Sequence, residues 1–312
     1  MLTDESSANE TRHMPRAVVN YINATDDKVE VEYETVGSPS DVPMLMIMGF
    51  GAQLTLWPEG FCRSLAAHGY YVILFDNRDC GLSTKLDGIE VDLASVMMAA
   101  LSDRVELLPP VPYTLSDMAL DAVGLLDHLG IAAAHIVGAS MGGMIAQTFA
   151  LEHPQRTLSL ASIMSNSGDP DVGQPSPEVA AVLLSPPPID RQEYIDNSVA
   201  SMVWQSKKYA DVDETRAQAA RDYDRSFYPE GSGRQLAAIY ASGRRSAVLG
   251  SLDVPTVVIH GRDDTLLLPE GGVRTAELIP GANLLLMADM GHDMPEPLWP
   301  VLVDAIVSNA KR

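Results

Sequence analysis

Apolar residues in this chain fall in short runs that alternate with helical repeats. Six runs are each long enough for one strand and are bounded by turn residues: 42–48, 70–75, 132–138, 158–164, 254–260 and 283–288. Five segments between or after them carry apolar residues at helical spacing: 58–68, 115–129, 141–152, 270–279 and 296–309. Because strands that alternate with helices form βαβ units, the pattern predicts an α/β fold with a mainly parallel central sheet flanked by helices.

Two further features frame this alternation. Residues 16–23 and 28–36 read as β-rich strands joined by a turn at 24–27, so 158–164 becomes the sixth strand. The alternation is interrupted by insertions at 86–113 and 168–233.

The junction between the fifth strand and its helix reads Gly138-Ala139-Ser140-Met141-Gly142, which has the form Gly-x-Ser-x-Gly. A serine hydroxyl is a poor nucleophile at neutral pH, so it must be presented beside a base and an oxyanion site. A sharp strand-to-helix turn does this, and the flanking glycines leave room where a Cβ would collide. The pentapeptide alone would occur by chance in roughly one chain in ten of this length. Its position between an apolar strand and a helix makes Ser140 the candidate nucleophile.

These features resemble the α/β-hydrolase fold, and the resemblance covers nearly the whole chain. The turn Asp76–Ser83 is similar to the family's Asp-x-Arg-x-x-Gly-x-Ser sequence, and Met48-Gly49-Phe50-Gly51 stands where most members carry His-Gly. Together with the ending Met290–Pro295, these segments resemble more specifically the branch that contains aclacinomycin methylesterase and related bacterial carboxylesterases.

The resemblance implies a division of the chain. Residues 16–167 and 234–312 are expected to form the hydrolase core, with 168–233 as a helical cap inserted after the sixth strand. The insertion holds six aromatic side chains: Tyr194, Trp204, Tyr209, Tyr223, Phe227 and Tyr228. We expect at least half of them to pack within the cap and a few to face the substrate pocket.

The remaining catalytic residues follow from the family's chain order, which is Ser, then Asp or Glu, then His. His292 is the single histidine of the seven that lies after the strand 254–260 and its acidic pair. The pair itself is Asp263 and Asp264. The family's Gly-x-x-Asp spacing favours Asp264 as the triad acid, and Asp263 is the alternative.

The resemblance also implies the oxyanion donors, which are backbone N–H groups. Those of Phe50 and Met141 are expected to bind the oxyanion. Because a backbone donor does not depend on its side chain, the departure from His-Gly matters little for ester chemistry. It weakens the analogy with carbon–carbon bond hydrolases, whose usual pattern keeps His-Gly.

Composition narrows the classes of partner. The 312 residues include 42 acidic and 21 basic side chains, a net charge of −21, which opposes binding to nucleic acid and anionic membranes. Apolar runs stay well short of a membrane span, and the acidic start, with residues 1–15 expected to be disordered, lacks the character of a signal peptide. With only two cysteines, a cytoplasmic location is expected. The sequence shows neither the spacing of a metal site nor a phosphate loop, so no cofactor or metal is expected.

The function predicted from the sequence is a serine hydrolase that cleaves small-molecule carboxylic esters through an acyl-enzyme. Lactone opening and perhydrolysis use the same triad and remain alternatives. A prolyl aminopeptidase would need acidic cap residues placed for a substrate amine, and a non-catalytic ligand-binding relative would be expected to lack a triad member. The acyl and alcohol groups and the oligomeric state are not predicted.

Overall fold

The computed structural model describes residues 15–21 and 27–312. The segment expected to be disordered (1–15, apart from its last residue) and most of the turn at 24–27 lie outside the described residues. Within the described part, one sheet contains eight strands: β1 Arg16–Tyr21, β2 Lys28–Val36, β3 Val42–Ile47, β4 Tyr70–Phe75, β5 Ala134–Ala139, β6 Thr157–Ile163, β7 Thr256–Gly261 and β8 Asn283–Met287.

The strands are ordered β1-β2-β4-β3-β5-β6-β7-β8 in the sheet. The strands from β4 to β8 along this order pair in parallel, whereas β1 with β2 and β2 with β4 pair antiparallel. The predicted mainly parallel sheet is therefore confirmed. Because the carboxyl ends of parallel strands share one edge, the segments that follow β3, β5, β7 and β8 are brought together there.

Eleven α-helices lie within the described residues: α1 Glu59–Ala67, α2 Leu93–Leu101, α3 Leu115–His128, α4 Met141–Glu152, α5 Pro177–Leu183, α6 Arg191–Ala200, α7 Val212–Arg225, α8 Glu230–Ser242, α9 Ser246–Leu249, α10 Glu270–Leu278 and α11 Trp299–Ala310. The last predicted helix, 296–309, begins instead with a short 3-10 turn at Glu296–Leu298. None of the helices described here is both long and apolar enough to cross a bilayer.

Apolar side chains pack against both faces of the sheet. On β3, Leu45 and Ile47 belong to the core cluster under α3 and α4, whereas Met44 and Met46 belong to the cluster under α1 and α11. Successive residues of a strand point to opposite faces, so a strand buried on both sides must be apolar throughout. This explains the unbroken apolar run in β3.

Residues 168–233, the predicted cap and called the cap below, follow β6 and contain α5, α6, α7 and the start of α8. The boundary expected at residue 233 falls inside α8, which runs on to Ser242. The earlier insertion, 86–113, also forms a helix, α2, whose first turn is capped by the side chain of Asp92, and α2 packs against α8. The helix of the earlier insertion therefore packs against the helix in which the later insertion ends.

Candidate active site

Ser140 lies on a strained turn between β5 and α4. Its backbone has φ 57° and ψ −123°, a positive-φ conformation that costs a residue with a Cβ about 1–3 kcal/mol. The turn is held by the neighbouring strand, because Ser140 N–H donates to Ile163 O at 2.9 Å. The carbonyl of Ser140 accepts from Gly143 N–H at 2.9 Å, which starts α4 directly after the serine. The serine is therefore presented at the carboxyl edge of the sheet.

The two glycines that flank Ser140 are required by close backbone contacts. A Cβ on Gly138 would lie 2.1 Å from the carbonyl oxygen of Gly142, and a Cβ on Gly142 would lie 2.0 Å from that of Ile47. Backbone cannot move aside as a flexible side chain can, so any larger residue would displace the turn. The spacing of Gly-x-Ser-x-Gly is thus a packing requirement in this chain.

The loop after β3 packs directly on the serine. A Cβ on Gly49 would lie 3.0 Å from the Cβ of Ser140. The loop is anchored by Asn77, whose side-chain amide donates to Met48 O at 2.9 Å. Asn77 was not among the predicted site residues, although it lies within the Asp76–Ser83 turn.

The N–H groups of Phe50 and Met141 are available for an oxyanion. Phe50, Met141 and Ser140 line the same cavity. Among the residues that the structure describes, neither N–H has an acceptor, whereas that of Gly51 donates to Gln235 Oε1 at 2.8 Å. Met141 is also the first residue of α4, where the helix dipole favours negative charge.

Asp264 and His292 form a buried pair. Asp264 follows β7, is almost fully buried, and its Oδ2 lies 2.7 Å from His292 Nδ1. Its Oδ1 accepts from the N–H groups of Leu266 and Leu267, each at 2.9 Å. Burial alone would raise the pKa of Asp264, but the facing imidazoles of His292 and His260 lower it to about 2. An ionised carboxylate only accepts hydrogen bonds, so Nδ1 of His292 carries the proton that it donates to Asp264.

Asp263 is not part of this pair. Its side chain is exposed, and its backbone N–H donates to Met290 O at 3.0 Å. Of the two candidate acids, Asp264 is therefore the one that forms a hydrogen bond with His292.

His260 is a neighbour of Asp264 and was not among the predicted site residues. Its Nε2 lies 2.8 Å from Leu267 O and 3.4 Å from Asp264 Oδ2. A carbonyl can only accept, so Nε2 carries the proton and supports both the Asp264 carboxylate and the turn that follows it. Its position at the end of β7, four residues before Asp264, was the available signal.

The structure does not bring His292 into hydrogen bonding with Ser140, the candidate nucleophile. Within the described residues, Ser140 Oγ forms no hydrogen bond with any side chain. Contacts between a nucleophile and its base are often long before substrate binds and shorten in the reacting complex.

The turn Asp76–Ser83 links the core to the cap. Asp79 accepts a bidentate pair from Arg234 of α8 at 2.8 and 2.9 Å, and Asp76 accepts from Arg225 of α7 at 2.8 Å. Arg78 forms a buried bidentate pair with Asp121. The carboxylates of Asp76 and Asp79 therefore join this turn to α7 and α8.

A largely apolar cavity opens beside Ser140. Its apolar walls come from the core, from α2 and its following turn, from α5 and from α8: Phe50, Leu101, Val105, Met144, Leu183, Leu236, Ile239, Tyr240, Leu266 and Leu267. None of the six cap aromatics lines this cavity, so the expectation that a few would face it is wrong for this pocket. Tyr194, Tyr223 and Phe227 instead pack on one another, with ring centroids 4.5–6.0 Å apart.

The charged groups at the cavity are already engaged. Arg244 pairs with Asp103, and Arg245 donates to Gln147 Oε1 at 3.0 Å and to Asn166 O at 2.9 Å. Burial lowers the pKa of Arg245 to about 10. Across residues 15–21 and 27–312, no three His, Cys, Asp or Glu side chains are grouped closely enough to hold a metal ion.

Comparison with known proteins identifies the fold family. The sequence profile of the α/β hydrolase fold matches residues 42–296. Rhodomycin D methylesterase DauP of Streptomyces sp. strain C5 is 27% identical, with 92% of this chain and 97% of that protein covered. A 2-hydroxy-6-oxononadienedioate/2-hydroxy-6-oxononatrienedioate hydrolase of Paraburkholderia xenovorans LB400 is 30% identical, with 87% of each chain covered. Among solved structures, the enol-lactonase of Burkholderia xenovorans LB400 superposes with a TM-score of 0.70 at 21% identity, covering 93% of this chain and 98% of that one. These findings confirm the resemblance read from the sequence.

Proposed function

The chain belongs to the α/β hydrolase fold family, and we propose that it is a serine hydrolase that cleaves small-molecule carboxylic esters. Ser140 is the nucleophile, His292 the general base and Asp264 the acid that orients the histidine. The observation that carries this proposal is the buried Asp264–His292 pair, at the same edge of the sheet as a serine held at φ 57°. Strained backbone of this kind persists where the surrounding structure enforces it, and it clusters at functional sites.

In the first half of the reaction, the hydroxyl oxygen of Ser140 attacks the ester carbonyl while His292 Nε2 takes the hydroxyl proton. Asp264 stabilises the imidazolium that forms. His292 then gives this proton to the departing alcohol, and the acyl group stays on Ser140. The negative oxygen of the tetrahedral intermediate accepts from the N–H groups of Phe50 and Met141.

In the second half, water replaces the alcohol. His292 takes a proton from the water as it attacks the acyl-enzyme, and then returns it to Ser140 Oγ as the acid leaves. The same histidine acts as base and then as acid in each half, so no cofactor is needed.

We place the substrate among esters with a bulky apolar acyl group, methyl esters included. The apolar walls beside Ser140 support this class. The similarity of this chain, over 92% of its length, to a protein named rhodomycin D methylesterase also favours methyl esters.

Carbon–carbon bond hydrolysis is the second candidate, because relatives named as dienedioate hydrolases reach 30% identity. Met48 stands where the usual pattern of those enzymes has a histidine, and this substitution favours ester cleavage. The two candidate functions are distinguished by the substrates that the enzyme turns over. A panel of methyl esters and a 2-hydroxy-6-oxo-dienedioate offered to the same enzyme should give turnover of the esters, with at least tenfold lower kcat/KM on the dienedioate.

The nucleophile is tested by Ser140→Ala, with Ser165→Ala as a control at a second serine beside α4. Ser140→Ala should lose several powers of ten in kcat on p-nitrophenyl esters, since residues of a triad act as one unit. Ser165→Ala should keep most activity. Undiminished ester turnover by a folded Ser140→Ala variant, purified free of host esterases, would reject the proposal.

A further inference from the structure

The loop that carries His292 is held by a segment of the cap. His292 N–H donates to Trp204 O at 2.7 Å, and Gly291 N–H donates to Ser206 Oγ at 2.9 Å. A Cβ on Gly291 would lie only 2.4 Å from the carbonyl carbon of Gln205. The two segments are therefore packed backbone against backbone, although 85 residues separate Ser206 from Gly291.

Asp293 completes this contact from the other side of the histidine. Its Oδ1 accepts from Ser206 N–H at 3.0 Å and also from the Ser206 hydroxyl. Ser206 is fully buried. Its hydroxyl therefore bridges the loop, accepting from Gly291 and donating to Asp293. Burial raises the pKa of Asp293, and the bonds from Ser206 and Gly291 and the nearby His292 act against this rise.

Asp264 does not supply this backbone support. It fixes the imidazole ring through Nδ1, but the amide of His292 itself is bonded to the cap. A general base must sit within hydrogen-bond reach of the proton that it takes. A shift of about 1 Å in such a group can cost about 10²-fold in rate.

We propose that Ser206 and Asp293 are positioning residues for His292. Through them the cap sets the geometry of proton transfer in addition to roofing the pocket. The inference rests on the proposed function, in which His292 is the base. It also gives a role to Asp293, which belongs to the sequence ending that resembles the methylesterase branch.

The test uses the full chain and p-nitrophenyl acetate, which is too small to depend on the walls of the pocket. Each variant is first titrated to completion with a fluorophosphonate, which counts reactive Ser140, and kcat is expressed per titrated site. Ser206→Ala should lower kcat about 10- to 10²-fold, with KM within about twofold. The rate constant for phosphonylation of Ser140 should fall in the same proportion, while the final stoichiometry stays the same.

Three further variants make the test specific. Asp293→Ala leaves the buried side chain of Ser206 in place and should lower kcat as much as Ser206→Ala does. Asp293→Asn keeps an acceptor oxygen and should retain most of the activity. The double variant Ser206→Ala/Asp293→Ala should be about as slow as the slower single variant, because both substitutions break the hydrogen bond between the Ser206 hydroxyl and Asp293. Lys208→Ala is the matched control. It breaks the Lys208–Asp289 ion pair, which joins the same two segments at the surface, where the two side chains are 57% and 47% exposed. It should change kcat less than twofold.

Two results would overturn the inference. One is a kcat per titrated site within twofold of wild type in both Ser206→Ala and Asp293→Ala. The other is a loss confined to the number of titratable sites, since that would mark a role in folding alone. Failure of the proposed function looks different: the fluorophosphonate would not label Ser140 in the wild-type protein.

Discussion

Ser140 and His292 belong to the same edge of the sheet, but the chain holds them by different kinds of contact. The serine is fixed by backbone: its N–H reaches Ile163 O, and Gly142 packs against the carbonyl of Ile47. The histidine is fixed partly by polar side chains that come from other parts of the chain, Asp264 from the end of β7 and Ser206 from the cap.

This difference predicts how each half responds to mutation. Around Ser140, substitutions act by steric collision, so Cβ atoms at the flanking glycines are the damaging change. Around His292, a single lost oxygen can misplace or misorient the ring while the fold survives. The predictions below test the two halves in turn, from the largest expected effect to the smallest.

Asp264→Asn should have the largest effect. An amide in place of the carboxylate permits the wrong tautomer of His292 and cannot stabilise the imidazolium, and the comparable change in a serine protease costs ~10⁴-fold in kcat. Asp263→Asn is the matched control, because Asp263 is exposed and one residue away, and it should stay within about twofold. Steady-state kinetics on p-nitrophenyl butyrate measure both. The reverse ranking would make Asp263 the triad acid.

Phe50→Pro tests the half of the site that is built from backbone. Proline removes the proposed donor N–H, and loss of one oxyanion donor typically costs ~10²–10³ in kcat. Phe50→Leu keeps the N–H and should change kcat only modestly. A crystal structure of the proline variant checks that the loop after β3 keeps its path. Equal and small effects from the two substitutions would place the donor elsewhere.

The depressed pKa of Asp264 should appear as pH-dependent stability. A carboxyl whose pKa is about 2 in the folded protein and about 3.9 unfolded stabilises the fold above pH 4, and this contribution is lost as the pH falls toward 2. Urea unfolding of wild type and Asp264→Asn at pH 5 and pH 3 measures it. The difference in unfolding free energy between the two proteins should shrink by about 1 kcal/mol at the lower pH. A difference that does not change with pH would mean that Asp264 is not held ionised by the histidines.

Leu101→Asp should have the smallest effect, confined to bulky substrates. Leu101 lines the cavity from α2, and losing its apolar contact, worth about 1 kcal/mol, should raise KM for p-nitrophenyl octanoate about fivefold. The acetate ester should be unaffected. Met98→Asp on the same helix is the control, since Met98 is 71% exposed and lies outside the cavity wall. Equal effects of the two substitutions on both esters would remove α2 from the substrate pocket.

The sequence predicts the core well because its signals are local. The ends of β4 and α4 agree with the apolar pattern to the residue, since each element shows its own period and is bounded by turn residues. The turn at Ser140 also has a local signal, because the two glycines that it requires lie within the same five residues of the chain.

The contacts that the sequence does not predict are long-range and use common polar residues. Gln235 binds the N–H of Gly51 across 184 residues, and Ser206 reaches Gly291 across 85. Neither has a spacing that marks it in advance. The pocket wall is similar: α2 and Tyr240 line it, whereas the aromatics of the cap pack on each other, and only tertiary packing separates these outcomes.

The most direct test of the account is to find the acyl group. Wild-type enzyme mixed with p-nitrophenyl butyrate is quenched in acid within one turnover, digested and analysed by mass spectrometry. We expect one butyryl group, on the peptide that contains Ser140, and its disappearance at longer times as water releases the acid. A butyryl group on another residue, or turnover with no acylated peptide when the burst of p-nitrophenol is complete, would contradict the assignment of Ser140 as the nucleophile.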